Sequence, residues 1–179
     1  MNPTAPELGT ARLRLRGFRG DDLDAYAAIC ADPEVMRHIG AGGPIARDMA
    51  WRQMAMLAGE WPLRGYGQWA VERLDGGGLI GRVGFLHPEG WPACELAWLL
   101  AREAWGQGLA FEAAGAALAA GRDRLGVPAE LISLIRPGND RSVRLAERLG
   151  AVADGTIEIL GGRALRYRHP RAGAGASRR

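Results

Sequence analysis

The chain contains no lysine: all 23 of its basic residues are arginine. That absence excludes any mechanism built on a lysine nucleophile or Schiff base, and it excludes a Walker-A phosphate loop. Cysteine is nearly as scarce. Cys30 and Cys94 stand far apart and form no Cys-x-x-Cys motif, so neither a disulfide framework nor a thiol-based metal or redox site is expected. The histidines, His38, His87 and His169, are equally scattered, and no metal centre is expected. No run approaches the ~20 apolar residues that cross a bilayer. The first ten residues, with Pro3, Pro6 and Glu7, lack the basic start and apolar stretch of a secretion signal. These absences predict a cytoplasmic protein with no membrane partner.

What is present is the composition of a folded domain. The 179 residues are 47% hydrophobic and 24% charged, which fits one domain and excludes a disordered chain. The formal net charge is a mild +3. Much of the basic excess sits in the tail, at Arg168, Arg171, Arg178 and Arg179. Elsewhere acids are interleaved, as in Arg102-Glu103 and Arg122-Asp123-Arg124. Nucleic-acid binders gather their basic residues on one face or helix, so nucleic acid is not the expected partner.

Periodicity sets out the elements. Residues 12–16 alternate strictly, which predicts a half-buried strand with Leu13 and Leu15 inward and the arginines outward. Asp21 and Asp22 offer capping oxygens to a helix running to about Ala31. Asp32-Pro33 starts a short helical piece, and residues 46–60 form a second long helix ended by Pro62 and Gly65. Three strands follow at 68–73, 79–86 and 94–100; the third is apolar apart from Glu95, as in a central strand buried on both faces. An alanine-rich helix over 109–125, a strand over 130–135, a helix over 141–149 and a hairpin over 152–168 complete the chain. The order β-α-α-β-β-β-α-β-α-β-β is a mixed α/β sheet. One domain is expected over residues 10–169, with 1–9 and 170–179 as flexible ends.

The passage from strand 94–100 into helix 109–125 carries chemistry. Gly106-Gln107-Gly108 opens the helix, whose first N–H groups have no internal partner and whose dipole is positive at that end. Glycines let a pyrophosphate approach the backbone without a lysine. The same spacing also suits an ordinary tight strand–helix turn. It is not a dinucleotide fingerprint, because Phe111 stands where the third glycine would be.

Here the sequence resembles the GNAT (GCN5-related N-acetyltransferase) family, in particular its ribosomal-protein N-acetyltransferase-like branch. The family's acyl-CoA signature Gln/Arg-x-x-Gly-x-Gly/Ala falls on Trp105-Gly106-Gln107-Gly108-Leu109-Ala110, with Trp105 departing from it as in that branch and Glu112-Ala113 extending the match. The run from Asn139 through Ser142 and Glu147 to Leu149-Gly150 is similar to the family's Asn-x-x-Ser-x-x-x-x-Glu-x-Leu-Gly helix. Residues 10–16, with Asp32-Pro33-Glu34-Val35-Met36, give a third match.

The resemblance implies a GNAT-like acyl-CoA N-acyltransferase fold and acetyl-CoA as co-substrate, without a metal. The strand ending near Leu100 and the strand from Leu131 would splay, with backbone of Trp98, Leu99 and Leu100 meeting the pantetheine arm and the thioester. The pyrophosphate would lie on Trp105, Gly106, Gln107, Gly108, Leu109 and Ala110. Glu95 matches a position used as general base in some members; otherwise it is a carboxylate paired with an arginine. Ser142 could protonate or anchor the leaving sulfur, or be a first-turn helix residue. The tyrosine that many members carry further along this helix is replaced by Ala146. Asn139 could cap the helix, touch the pantetheine, or both. Tyr167 is assigned to sheet packing.

The acceptor, a small-molecule amine or a protein N-terminus, would sit between residues 36–44 and 160–163. Trp51, Trp61, Trp69 and Trp91 could line that site, though most would be core, and Arg37 and Arg163 could hold a carboxylate. A homodimer is compatible with the resemblance. The competing reading is a non-catalytic module of the same fold that senses acyl-CoA or binds nucleic acid.

Overall fold

The computed structural model describes residues 4–170. Among these the chain forms β1 (Leu8–Gly9), β2 (Leu13–Arg16), α1 (Leu23–Ala31), α2 (Pro33–Met36), α3 (Arg47–Arg64), β3 (Gln68–Arg73), β4 (Gly78–Leu86), β5 (Cys94–Leu100), α4 (Leu109–Asp123), β6 (Leu131–Ile135), α5 (Asp140–Arg148), β7 (Val152–Ile159) and β8 (Gly162–Arg168). The strands make one sheet in the order β1-β2-β3-β4-β5-β6-β8-β7. The elements read from periodicity are all present.

Four differences have physical causes. Residues 4–9 are held rather than free: β1 pairs with β2, and the Trp69 indole donates to the Pro6 carbonyl at 2.7 Å. The expected flexible C-terminal end lies, from residue 171, outside the described residues. The helix expected over 46–60 runs through Pro62 to Arg64 and closes, as expected, at Gly65, whose φ of 79° suits glycine. Asp22 does not cap α1; its carboxylate takes two bonds from Arg16 (2.8 and 2.7 Å) and one from the Arg19 N–H (2.7 Å). Arg16 is therefore buried, between Asp22 and Glu72, not outward.

Two cores flank the sheet. On one face α4 packs its alanines against Val83, Phe85, Leu96 and Leu13. The approach is close: a Cβ on Gly121 would lie 2.3 Å from the Phe85 ring, so only glycine fits there. On the other face α1 and α3 bury Tyr26, Ile29, Met54 and Leu57 near Leu99.

The feature that positions the site is a break in pairing. β4 and β5 pair from Leu86↔Glu95 to Gly81↔Leu100. The parallel pairing of β5 with β6 covers only Cys94↔Leu131 and Glu95↔Ile132. Beyond Glu95 the two strands part, and the ladder's backbone groups on that edge of β5 lose their strand partner. This corrects the expectation of a strand buried on both faces: Ala97 and Trp98 are only half-buried where the sheet opens.

Candidate active site

Two cavities meet at the opening. The larger, about 670 Å³, runs between the β5–α4 turn and α5; the smaller, about 270 Å³, lies toward α3 and the β7–β8 turn. His38, Ile39, Trp98, Asn139 and Ser142 line both.

The larger cavity is walled by Trp98, Leu99, Leu100, Trp105, Gly106, Gly108, Leu109 and Ala110, with Asn139 and Ser142 opposite. Gly106 (φ 73°) and Gly108 (φ 76°) adopt the left-handed backbone that the turn requires, and space is open where a Gly106 side chain would stand. Trp105 is fixed by its indole bond to the Leu100 carbonyl, 2.9 Å. The expectation for Gln107 concerned its backbone; its side chain is turned away from the cavity. Its amide donates to the Glu103 carbonyl at 2.6 Å, and its carbonyl accepts from Arg12 at 2.9 Å. Glu112, a turn further on, accepts from Thr10 Oγ1 (2.6 Å), Arg12 N (2.9 Å) and Arg12 Nε (2.7 Å), tying the start of the sheet to α4.

The arginines of α5 were not singled out from the sequence. Arg141, Arg144 and Arg148 all line this cavity. Arg141 stacks over Trp105 at 4.5 Å and Arg148 over Phe111 at 4.3 Å. Their i, i+3, i+7 spacing was a legible signal, because it places them on one helix face. An anion therefore meets free helix-terminal N–H groups on one wall and guanidinium groups on the other.

Glu95 and Ser142 bracket the junction. Glu95 lines the smaller cavity and is only 7% exposed. Burial pushes its carboxyl up to about 7, opposed by bonds from the Trp91 indole (2.8 Å) and the Leu134 N–H (3.4 Å) and by the charge of Arg82. Among the described residues no arginine makes an ion pair with it, which sets aside the expected arginine-paired alternative. Ser142 receives the Trp98 indole N–H on Oγ at 3.1 Å, so its own hydroxyl proton is free. Its backbone N–H donates to Asn139 Oδ1 at 3.3 Å, the helix cap expected of Asn139.

The remaining candidates divide. Trp91 lines the smaller cavity; Trp61 and Trp69 are core, and Trp51 is exposed. Arg37 pairs with Glu34 and borders the larger cavity, while Arg163 borders neither. Tyr167 packs against Ile135, Ala146 and Ala151. Cys30 and Cys94 are buried, and burial raises both thiols, Cys94 to about 12, so neither is a ready nucleophile.

The sequence reading passed over Gln53, Arg82, Ser133 and Arg136, all of which line the smaller cavity. Ser133 bridges the parted strands: its hydroxyl donates to the Leu96 carbonyl at 2.7 Å. A serine has one proton to give, so His169 Nε2, 2.9 Å away, must donate to it. Burial lowers His169 to about 4 and keeps it neutral in that tautomer. Arg136 spans two loops, donating to the carbonyls of Gly40 (3.0 Å), Leu160 (3.3 Å) and Arg163 (3.2 Å).

A parted β5–β6 pair beside a glycine-opened helix defines an acyl-CoA transferase architecture, and comparison with known proteins agrees. The family model of the acetyltransferase (GNAT) domain matches residues 12–152. An acetyltransferase structure from Agrobacterium tumefaciens superposes with a TM-score of 0.83 at 30% identity, over 96% of this chain and 98% of its own. The uncharacterized protein YkkB of Bacillus subtilis is 30% identical over 84% of this chain and 88% of its own length. The structure of RimL, a ribosomal alpha-N-protein acetyltransferase in complex with coenzyme A, has the same fold, with a TM-score of 0.75 at 14% identity over 93% of this chain. The chain belongs to the GNAT acetyltransferase family and is an acetyl-CoA-dependent acetyltransferase. No helix among the described residues is long and apolar enough to cross a membrane.

Proposed function

We propose that the protein transfers the acetyl group of acetyl-CoA to a primary amine by direct attack in a ternary complex. The carrying observation is the junction of the two cavities at Trp98, Asn139 and Ser142, with Glu95 on the smaller side. The larger cavity suits the cofactor: backbone donors of residues 105–110 toward the pyrophosphate, arginines of α5 toward its phosphates, and the edge of β5 at Trp98, Leu99 and Leu100 toward the pantetheine arm. An N–H left unpaired on that edge is positioned to stabilise the thioester oxygen as charge develops on it.

The chemistry then divides between two side chains. The amine nitrogen bonds to the thioester carbon, the C–S bond breaks, and the amine proton passes to Glu95 directly or through water. A carboxyl titrating at about 7 is matched to that task near neutral pH. The Ser142 hydroxyl, its oxygen already held by Trp98, donates a hydrogen bond to the departing sulfur, which leaves as the thiolate and takes its proton from solvent. With both cysteine thiols buried, no acyl-enzyme step is included.

The test is thiol release from acetyl-CoA over a panel of peptides, amino acids, polyamines and aminoglycosides, with mass spectrometry of the products. An N-acetylated product is expected. Tight acetyl-CoA binding with no acetylated amine across the panel would overturn the reading in favour of acyl-CoA sensing.

A further inference from the structure

Among the described residues Arg82 is a cation with no ion-pair partner, though Glu95 feels its charge from further along the same face. Arg82 stands in β4 among apolar residues and is 6% exposed. Its Nε donates to the Tyr26 hydroxyl at 3.0 Å and its Nη1 to Gln68 Oε1, both neutral groups. Among the described residues no carboxylate forms an ion pair with it. A buried charge left in this state is costly unless something pairs with it. Arg82 nevertheless lines the smaller cavity, which Gln53 and, on β5, Ala97 and Glu95 also line.

The sheet register puts Arg82 and Glu95 on one face: Arg82 faces Leu99, Gly84 faces Ala97 and Leu86 faces Glu95. The cavity thus carries a carboxyl and a guanidinium on one surface, four positions apart along the β4–β5 ladder. Arg136 adds a second cation at its rim. The other ionisable lining group is His38.

We infer that the acceptor is a small amine that also carries a carboxylate, an amino acid in chemical class, with Arg82 binding the carboxylate while Glu95 faces the amine. This rests on the acetyl-transfer reading above and narrows its acceptor. A carboxylate would give Arg82 the partner it lacks, through charge-assisted bonds in a site shielded from water. Polyamines and aminoglycosides would bring further positive charge against Arg82 and Arg136, which disfavours them. A volume of about 270 Å³ also suits a small molecule.

The experiment compares each amino acid with its amide and its decarboxylated amine on the unmodified protein. The acids are expected to have kcat/KM roughly 100-fold above both analogues, the scale of a buried charge pair left unmatched. Arg82→Gln should collapse that preference to within about 5-fold, mainly through the acceptor KM, with acetyl-CoA affinity by calorimetry unchanged. Arg82→Lys should recover part of it. Amides, amines or peptides acetylated as well as the acids by the unmodified protein would overturn the inference and leave acetyl transfer standing. Acetyl-CoA bound with no amine acetylated would overturn acetyl transfer. Arg82 is then judged by calorimetry of N-acetyl amino acids against N-acetyl amines. Preferential binding of the acids supports its carboxylate role, and equal binding removes it. Both comparisons on the unmodified protein stand even if Arg82→Gln does not fold.

Discussion

The two cavities are built in opposite ways. The larger is made mostly of backbone and exposed charge: two left-handed glycines, the start of α4 and a stripe of arginines on α5. Most of its parts come from two short continuous stretches, residues 98–111 and 138–148, with residues 34–39 closing one side. The smaller is lined by side chains drawn from α3, β4, β5, β6, α5, the β7–β8 turn and the connecting loops, with Arg82, Glu95 and Ser133 among its buried members. A group common to every acetyl-CoA-dependent reaction can be held by local backbone geometry, which tolerates change elsewhere. An acceptor must be selected by side chains, and these assemble only when the sheet does.

If that contrast holds, the largest effect comes from the backbone site. Gly108→Glu puts a non-glycine residue at φ 76° and a negative charge at the helix start. Coenzyme A affinity, read by calorimetry, should fall by more than about 100-fold, on the order of 3 kcal/mol. Gly108→Ala brings the strain without the charge and should lose far less. Equal losses would mean that backbone conformation alone, not anion binding, is at stake.

Glu95→Gln comes next and acts on the other cavity. We expect kcat to fall about 10²–10³-fold, with coenzyme A affinity unchanged. The ascending limb of the pH–rate profile near 7 should disappear; a variant that keeps it removes Glu95 as the base. Stability moves the opposite way. The native carboxyl is raised to about 7, so between its unfolded value near 4.5 and 7 the native state holds the extra proton. Stability therefore declines as pH rises through that window, and above it the buried charge costs up to about 3 kcal/mol. Glu95→Gln should accordingly melt higher than the parent at pH 8 and about equally at pH 4.

The same contrast decides what the sequence could disclose. The Gly106–Gly108 turn, the Asn139 cap and Ser142 were legible because their chemistry lies in neighbouring residues. Glu95 was legible as the one acid in an apolar strand. Arg82 left an equivalent signal, a lone charge inside a β-strand, but its meaning depends on finding no carboxylate in ion-pair contact with it among the described residues, which no spacing reveals. Arg136 looked like any surface arginine. Gln107 shows the converse: it belongs to the contiguous motif, whose spacing does not reveal that its side chain turns to Glu103. Arg16 and Asp22 show the same limit in the frame of the fold, since their burial follows from a pairing across a turn and not from the alternation of β2.

Ser142→Ala sharpens the boundary between the cavities. Ser142 belongs to both, and removing its hydroxyl leaves the Trp98 indole without its acceptor. A fall in kcat of about 10-fold is expected, with little change in either KM, as for an interaction made chiefly in the transition state. A rise in the acetyl-CoA KM at constant kcat would instead make Ser142 part of the binding wall.

The smallest effect belongs to Arg136, which ties together from outside two loops at the mouth of the smaller cavity. Its three bonds reach the α2–α3 loop at Gly40, the β7–β8 turn at Leu160, which takes the left-handed φ of 49°, and the start of β8 at Arg163. These bonds are solvent-exposed, so each contributes little to stability. Arg136→Met keeps the aliphatic stem and removes the donors. The acceptor KM should rise about 5-fold while kcat and the acetyl-CoA KM stay within about 2-fold, because the clasp shapes only the mouth of the smaller cavity. A parallel rise in the acetyl-CoA KM would show that the loops support both cavities, and that the division between backbone-built and side-chain-built halves ends before it reaches the rim.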